Sequence, residues 1–456
     1  MWTPSTWRGK TANLYTIEYS DNKQVHARSC LSKLAHLPPL VTPSEVSHLR
    51  VLLKEVALGQ RVIWQCGDCA ELFDHCETTY IADRVRLLSQ LSLVFSLATN
   101  IPVVRIGRMA GQYGKPRNGL TEEINGTELP KFYGDVINSF EPSRREPDPD
   151  RMLLAYFHAG CTLNYMRALA RDSRIHETAG AATNFTREGS FLGIECSSIT
   201  ERQKYHHSDQ LTNPVFTSHE CLFLHYEQAF TRPWWQPGEP APADAESAPG
   251  RFYNSSAHFL WVGDKTRQLD GAHVEYIRGL QNPVGIKVGP STNADELVDI
   301  LNLIDPHYEP GKVVLISRLG QRNVSQLGPL VRAVQESRHP VIWQCDPMHG
   351  NTRMTDGGIR TRDLASMLAE ITSTIEIHRQ HNSWLGGIHL ETTPDEDVVE
   401  CVGGINGPQD KEIGGFRYKT KCDPRLNRKQ TMEIALEVAR LYTELHRRDR
   451  VCRARM

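Results

Sequence analysis

The stretch Pro283–Arg318 reads PVGIKVGPSTNADELVDILNLIDPHYEPGKVVLISR and contains two strand patterns on either side of a helix pattern. Its two ends, Pro283–Lys287 and Val313–Arg318, are short apolar runs that finish in a cation. Continuous apolar runs of this length are typical of strands buried on both faces, as in a parallel sheet. Between them, Ala294–Ile304 spaces its large apolar residues along one helical stripe: Leu297, Ile300, Leu301 and Ile304. The stretch therefore predicts a strand, a crossover helix and a second, parallel strand.

The same kind of apolar run recurs six more times along the chain. The six are RVIWQC (Arg61–Cys66), PVVRIG (Pro102–Gly107), VFTSHE (Val215–Glu220), HFLWVGD (His258–Asp264), VIWQCD (Val341–Asp346) and GGIHLE (Gly386–Glu391). Eight such strands joined by helices predict an α/β fold, the (β/α)8 TIM barrel.

The spacing of the runs indicates additions to the barrel. More than 100 residues separate the second run from the third, and they include a helical pattern at Leu153–Ala170. Before the first run, Thr42–Leu58 opens with a capping residue and continues at helical spacing. We therefore predict an N-terminal helical extension at 1–60, the barrel at 61–446 with helices inserted around 108–214, and a basic C-terminal tail at 447–456.

Composition excludes several classes of protein. The chain has 456 residues, 39% of them hydrophobic and 23% charged, and a formal net charge of -2. That charge gives no reason to expect nucleic acid or an anionic membrane as a partner. No apolar run reaches the length of a membrane span, and Met1–Lys10 lacks the apolar core of a signal peptide. Eleven cysteines, an odd number, do not suggest a secreted disulfide framework, so we expect a cytoplasmic protein.

Cations concentrate where the predicted strands end. Catalytic groups of a (β/α)8 barrel project from the C-terminal ends of its strands. Those positions hold mainly Lys and Arg: Arg108, Lys115, Lys265, Lys287 and Arg318. Lys and Arg are the residues that bind phosphate and carboxylate, and several in one cavity repel one another unless an anion is bound. The pattern predicts a small, multiply charged, phosphorylated substrate.

Residues able to bind a metal lie near the same strand ends but are scattered in the sequence. They are Cys69, His349, Glu391 and Asp423. Their sulfur, nitrogen and oxygen atoms suit a borderline divalent ion, but their spacing alone favours structural roles, since a lone Cys or His is usually structural. Cys66 and Cys69 also form a C-x-x-C pair, but no partner pair for a zinc site follows and the context is not thioredoxin-like.

Nine segments taken together resemble the type II 3-deoxy-D-arabino-heptulosonate 7-phosphate (DAHP) synthases. The segments are GDCAE (Gly67–Glu71), RMAGQYGKPR (Arg108–Arg117), TSHE (Thr217–Glu220), TRQLDGAH (Thr266–His273), NPVGIKVGP (Asn282–Pro290), ISRLG (Ile316–Gly320), VIWQCDPMHGNT (Val341–Thr352), GGIHLE (Gly386–Glu391) and CDPRLN (Cys422–Asn427). The resemblance implies a barrel with an N-terminal extension and inserted helices, often assembled as a homo-oligomer. It also implies a metal-dependent condensation of phosphoenolpyruvate with erythrose 4-phosphate, a phosphorylated tetrose.

The resemblance assigns a role to each matching position. Cys69, His349, Glu391 and Asp423 are the implied ligands of a divalent metal, Mn²⁺ first, with Co²⁺, Fe²⁺ or Zn²⁺ as alternatives. Lys287 and Arg318 correspond to the clamp on the carboxylate of phosphoenolpyruvate. Arg108 and Lys265 stand where phosphate is held, with Asp264 beside them, and the acceptor segment is Lys115, Pro116, Arg117 and Asn118. Lys287, Arg108 and His349 are the residues implied in the chemistry itself.

Three departures from the family pattern keep other functions open. Asp264-Lys265 replaces a usual Glu-Arg, Asn118 replaces a usual Ser, and Phe132–Asp135 reads FYGD instead of YRGD. A Lys keeps the charge of an Arg but loses its two-pronged hydrogen bonding. Besides neutral drift, we consider a secondary-metabolism paralogue that accepts another aldehyde or an imine, such as an amino-substituted tetrose phosphate. A catalytically silent regulatory relative is a third interpretation.

A redox role is a separate hypothesis. Cys66 and Cys422 lie close in sequence to the implied ligands Cys69 and Asp423. Oxidation of these thiols would compete with metal binding. The alternative is that Cys66 and Cys422 are buried, unreactive thiols.

Overall fold

A computed structural model describes residues 2–12, 19–117, 119–124, 126–170, 214–234 and 251–453. Side-chain positions are described only as far as residue 445. Asn118, residues 171–213 of the predicted insertion and residues 454–456 of the predicted tail lie outside the described residues. The division into extension, barrel and tail therefore stays a prediction.

Eight parallel strands close into a barrel. In chain order they are β1 (Val62–Gly67), β2 (Val103–Arg108), β3 (Phe216–Glu220), β4 (Phe259–Val262), β5 (Val284–Val288), β6 (Val313–Ser317), β7 (Ile342–Cys345) and β8 (Leu385–Glu391). Each strand pairs with its neighbours in sequence, and β8 pairs with β1. The predicted (β/α)8 class is confirmed, and every strand lies within two residues of a predicted apolar run.

The strands are buried on both faces, as their unbroken apolar sequences predict. One apolar cluster lies inside the barrel and includes Ile63 of β1 and Ile316 of β6. A larger cluster lies between the strands and the surrounding helices and includes Val62 and Leu315 from the same two strands. Neighbouring residues thus face opposite sides, and neither side reaches solvent.

Within the described ranges, ten α-helices accompany the strands. They are α1 (Asp21–His36), α2 (Pro43–Ala57), α3 (Thr78–Thr99), α4 (Asp150–Leu169), α5 (Leu224–Ala229), α6 (Ala272–Ile277), α7 (Ala294–Ile304), α8 (Leu327–Ser337), α9 (Leu364–Gln380) and α10 (Arg428–Arg453). The predicted helix at Ala294–Ile304 is confirmed, and the Asn293 side chain caps its first turn. Among the described residues, none of the helices combines the length and apolarity that crossing a membrane requires.

The N-terminal extension closes one end of the barrel. The predicted cap at the start of Thr42–Leu58 is confirmed, and helix α2 begins there with a capping box between Thr42 and Glu45. Its apolar residues Leu49, Leu53 and Val56 belong to the same cluster as the barrel interior. Because α2 covers the barrel interior at this end, a functional site is expected at the opposite end, where the strands have their C-termini.

Strand register brings the predicted site residues together at that other end. In the pairing of β1 with its two neighbours, Gly67 lies opposite both Arg108 of β2 and Glu391 of β8. Cys69 follows two residues after Gly67. Three residues that are far apart in the sequence therefore meet at the same rim.

Candidate active site

A cavity of about 560 Å³ opens at the C-terminal ends of the strands. Its lining contains ten basic side chains but only four acidic ones. The basic residues are Arg108, Lys115, Arg117, Lys131, Arg145, Lys265, Lys287, Arg318, Arg360 and Lys421. Such an excess of positive charge in a concave site attracts a multiply charged anion, because the walls exclude the water that would screen it. The cavity has the electrostatics of a phosphate and carboxylate site.

Nearly all residues predicted from the sequence line this cavity. They are Cys69, Arg108, Lys115, Pro116, Arg117, Asp264, Lys265, Lys287, Arg318, His349 and Asp423. Glu391 is completely buried and contacts several of them from below the surface. Asn118 lies outside the described residues.

Three of the four predicted metal ligands form a compact cluster. Ligand atoms of Cys69, Glu391 and Asp423 all lie within 4.8 Å of one another. The ammonium group of Lys115 contacts all three, with Nζ 2.8 Å from the Cys69 Sγ, 2.7 Å from an Asp423 oxygen and 3.7 Å from a Glu391 oxygen. Sulfur and carboxylate atoms thus surround a positive charge.

His349 adjoins this cluster through Glu391. Its Nε2 lies 3.1 Å from Glu391 Oε1, and its Nδ1 lies 2.7 Å from Asp346 Oδ2. An acceptor for Nδ1 fixes the orientation of an imidazole whose other nitrogen binds a ligand. His349 therefore points Nε2 at the cluster, although it does not share the short mutual distances of the other three residues.

Glu391 is held ionised by the cations that surround it. Burial by itself would raise the pKa of this carboxyl, but His349, Lys115 and Arg362 outweigh burial and hold the pKa well below its usual range. Arg108 donates a hydrogen bond of 3.0 Å to Oε1, and Arg362 donates one of 2.7 Å to Oε2. Glu391 is therefore a charged carboxylate, which is the form that binds a cation.

The donor set fits a borderline divalent metal. Thiolate, imidazole and carboxylate are the ligands that such ions accept, and the ammonium of Lys115 marks the place where positive charge is favourable. Burial raises the pKa of the Cys69 thiol, and a hydrogen bond with Cys422 and the charge of Glu391 raise it further, against the effect of Lys115. Because the thiolate is the form that binds a metal, metal binding would release the proton of Cys69. Burial alone would raise the pKa of Asp423, but the nearby cations lower it, and Lys115 has the largest lowering effect.

Lys287 and Arg318 face the cavity and are each paired with an acid. Lys287 contacts Asp346, and Arg318 donates a hydrogen bond of 2.8 Å to Asp264. Burial lowers the pKa of Lys287 to about 8, although Asp346 opposes the change. Both side chains are cations that line the cavity, so both are placed to bind an incoming carboxylate.

Arg108 is held rigidly by its surroundings. It donates hydrogen bonds to the backbone oxygens of Asp68 and Cys69, and its guanidinium group lies over the ring of Trp261 at 4.9 Å. Its Nη1 also lies 2.6 Å from Nε2 of His389, whose pKa is lowered by burial and by the cations Lys287 and Arg108. The neutral imidazole accepts this bond, so Arg108 presents a fixed charge rather than a mobile one.

Sequence reasoning missed four residues of the site. Asp346 bridges Lys287 and His349, Arg362 binds Glu391, and Arg360 binds Asp423 at 3.0 Å. Glu220 lines the cavity, and burial raises the pKa of its carboxyl against the effect of the nearby cations. Asp346 and Glu220 lie in motifs that carry the resemblance, and each stands at the end of a predicted strand. That position could have identified them as candidate site residues. Arg360 and Arg362 belong to a hairpin after β7, formed by Thr352–Met354 and Arg360–Arg362, and no sequence signal singles them out.

Comparison with known proteins agrees with the resemblance. The model of the class-II DAHP synthetase family matches residues 2–439. A phospho-2-dehydro-3-deoxyheptonate aldolase of Neurospora crassa is 42% identical over 460 residues, covering 97% of this chain and 95% of that protein. A protein of Mycolicibacterium smegmatis, named phospho-2-dehydro-3-deoxyheptonate aldolase AroG, is 37% identical over 429 residues, which cover 91% of this chain and 90% of that protein.

Proposed function

This chain belongs to the class-II DAHP synthetase family, and on that premise we propose that it condenses phosphoenolpyruvate with erythrose 4-phosphate in a metal-dependent reaction. The products are DAHP and inorganic phosphate. The observation that carries the proposal is a single cavity where a ring of cations adjoins the cluster of Cys69, Glu391 and Asp423. Two phosphorylated substrates and one carboxylate require such a ring of charge.

In this proposal the chain's cations hold the two substrates in a reactive arrangement. Lys287 and Arg318 release their carboxylate partners and bind the carboxylate of phosphoenolpyruvate instead. Arg108 and Lys265 bind its phosphate, and Lys115, Pro116 and Arg117 receive the acceptor with its phosphate. Fixed charges that already point at the substrates save the reorganisation that water would need.

Cys69, His349, Glu391 and Asp423 would hold the metal, with Mn²⁺ as the proposed ion. When bound, it supplies Lewis acidity to the aldehyde oxygen of the acceptor. C3 of phosphoenolpyruvate attacks the aldehyde carbon, water adds at C2, and the resulting phosphohemiketal loses phosphate. Glu220, a carboxyl at the cavity wall with a raised pKa, is the residue that we propose exchanges a proton with this water.

The test is a phosphate-release assay with the purified full-length chain, phosphoenolpyruvate, erythrose 4-phosphate and Mn²⁺. We expect phosphate and DAHP in equal amounts, and none after chelation of the metal. A protein that binds stoichiometric metal but releases no phosphate with any acceptor would be a silent relative, and the proposal would be wrong.

A second candidate function concerns the acceptor. Lys265 stands where the family usually has Arg, and it lies exposed in the cavity wall. A single-pronged cation at this place favours a paralogue of secondary metabolism that takes another aldehyde or an imine, such as an amino-substituted tetrose phosphate. The same assay with a panel of acceptors distinguishes the two functions. A rate with erythrose 4-phosphate equal to or above that with each analogue would dismiss the second candidate.

A further inference from the structure

A second group of metal-ligating atoms lies in the N-terminal region, away from the cavity. His26 and Cys30 are one turn apart on α1, so their side chains share a face of that helix. Asp150, the first residue of α4, faces them. Ligand atoms of the three residues lie within 4.8 Å of one another, and none of the three residues lines the catalytic cavity.

We propose that His26, Cys30 and Asp150 form a zinc site that joins α1 to α4. The proposal is independent of the catalytic metal, because the two clusters share no residue. Thiolate, imidazole and carboxylate are the three kinds of protein ligand that Zn²⁺ binds, and water completes a tetrahedral site that has three protein ligands.

The distances between the three side chains suit a tetrahedral ion. The Cys30 Sγ lies 3.8 Å from His26 Nε2 and 3.7 Å from Asp150 Oδ1, and these last two atoms are 2.8 Å apart. Usual zinc bond lengths set a sulfur ligand about 3.5 Å from nitrogen and oxygen ligands, and those two ligands about 3.3 Å from each other. Only the contact between His26 and Asp150 has to open, by about half an ångström, when their hydrogen bond is replaced by two bonds to the metal.

The site is rigid on one side and open on the other. Cys30 is completely buried in an apolar cluster that also contains Ala27 of α1 and Met152 of α4, so the helices are held together beneath the ligands. The side chains of His26 and Asp150 are 46% and 60% exposed, which leaves room for a water ligand. Asp148 adds negative charge close to the thiol, and Lys33 adds positive charge.

Binding follows simple coordination chemistry. The Cys30 thiol gives its proton to water, and the S–Zn bond forms from the thiolate. His26 binds through the lone pair of neutral Nε2, Asp150 binds through a carboxylate oxygen, and no group is oxidised or reduced. The consequence is a cross-link between the N-terminal extension and the helix inserted after β2.

Metal content of the full-length protein tests the site. The chain is stripped with a chelator, loaded with Zn²⁺ and desalted, and zinc is then measured per chain. We expect Cys30→Ser to hold one equivalent less than the parent protein, with catalytic activity unchanged. The matched control Cys161→Ser, which removes an exposed thiol of α4, keeps the full content. Equal zinc in the two variants would overturn the proposal.

Two further measurements keep the test decisive. If Cys30→Ser fails to fold, the exposed His26→Gln variant replaces it, with an expected loss of at least tenfold in zinc affinity at this site.

Cobalt then identifies the sulfur ligand, since a cobalt–thiolate bond absorbs in the near ultraviolet. In a Cys69→Ser background, which removes the catalytic thiolate, this band remains in the single variant and disappears when Cys30→Ser is added. Its persistence in the double variant, or unchanged zinc affinity in His26→Gln, refutes the site.

Discussion

Lys115 donates a hydrogen bond of 2.8 Å to the sulfur of Cys69. The same ammonium group lies 2.7 Å from Asp423, so a single lysine contacts two of the residues that we propose as metal ligands. The pKa of Lys115 is raised well above its usual value despite burial, chiefly by Asp423 and Cys69. In the proposed function, a bound metal would compete with this ammonium group for the same ligand atoms, and Lys115 would turn to the acceptor substrate once the metal has replaced it.

This competition gives the first prediction. In Lys115→Met, we expect the affinity for Mn²⁺ to rise on the order of tenfold or more, because the competing charge is gone. Turnover should fall at the same time, since the acceptor phosphate loses a cation. Competition with a chelating dye measures the metal affinity, and initial rates measure turnover. Lys131→Met, which removes a cation from the same cavity wall, is the control and should leave metal affinity unchanged.

His349 gives the second prediction. Its Nε2 faces Glu391 and its Nδ1 is held by Asp346, so His349→Ala removes a proposed ligand without changing a strand. We expect turnover below detection and a loss of bound metal at micromolar Mn²⁺. His307→Ala, at an exposed position outside the cavity, should behave as the parent protein. Full activity of His349→Ala in chelator-treated buffer would contradict the assignment.

The third prediction is a pH dependence that originates at Lys287. Burial lowers the pKa of this lysine to about 8, so the free enzyme loses this positive charge as the pH rises through that value. In the proposed function, loss of this charge weakens binding of the carboxylate of phosphoenolpyruvate. We expect kcat/KM for phosphoenolpyruvate to fall about tenfold per pH unit above the pKa, because this parameter reports groups of the free enzyme.

Lys287→Arg is the matching control for that profile. Arginine stays charged throughout the accessible pH range, so the alkaline decline should be absent even where the overall rate is lower. Rates measured from pH 7 to pH 10 with constant ionic strength decide the question. An identical alkaline decline in the arginine variant would assign the titration to another group.

The fourth prediction concerns stability. Arg362 is completely buried, and it donates hydrogen bonds to Glu391 and to the backbone oxygen of Pro424. Replacing it by Met leaves a buried carboxylate with one partner fewer, which costs about 3–5 kcal/mol in the free energy of unfolding. Urea denaturation of the metal-free protein measures the change.

Arg353→Met in the same hairpin is the comparison for Arg362. Arg353 also pairs with acids, Asp363 and Asp410, but its side chain is 37% exposed. An exposed ion pair contributes at most about 1 kcal/mol. Similar shifts in the urea midpoint for the two variants would show that burial of the Arg362–Glu391 pair is not what stabilises this region.

Most of the architecture was predictable from the sequence. An unbroken apolar run such as Val313–Arg318 is typical of a strand that is buried on both faces. The apolar stripe in Ala294–Ile304 is typical of a helix that buries one face. Thr42 has the side chain of a helix N-cap, and it correctly predicted where α2 begins. These signals are local, because each depends on residues within a few positions of one another.

The contacts inside the site were only partly predictable. The resemblance pointed to Cys69, His349, Glu391 and Asp423, and three of the four form the compact cluster. Neither composition nor spacing indicated that Lys115 lies among them. Arg362 was missed altogether, because a lone arginine in a hairpin looks like a surface residue until its neighbours are known.

The sequence by itself determined the order of strands and helices and the concentration of cations at strand ends, since hydrophobic periodicity acts over a few residues. Only the tertiary structure decided which charges meet. Lys115 and Cys69 are 46 positions apart, and Arg362 and Glu391 are 29 apart. Closure of the barrel places Gly67 beside both Arg108 and Glu391. The strength of each ion pair depends on the distance between its charges and on their burial, and the linear order of residues contains neither.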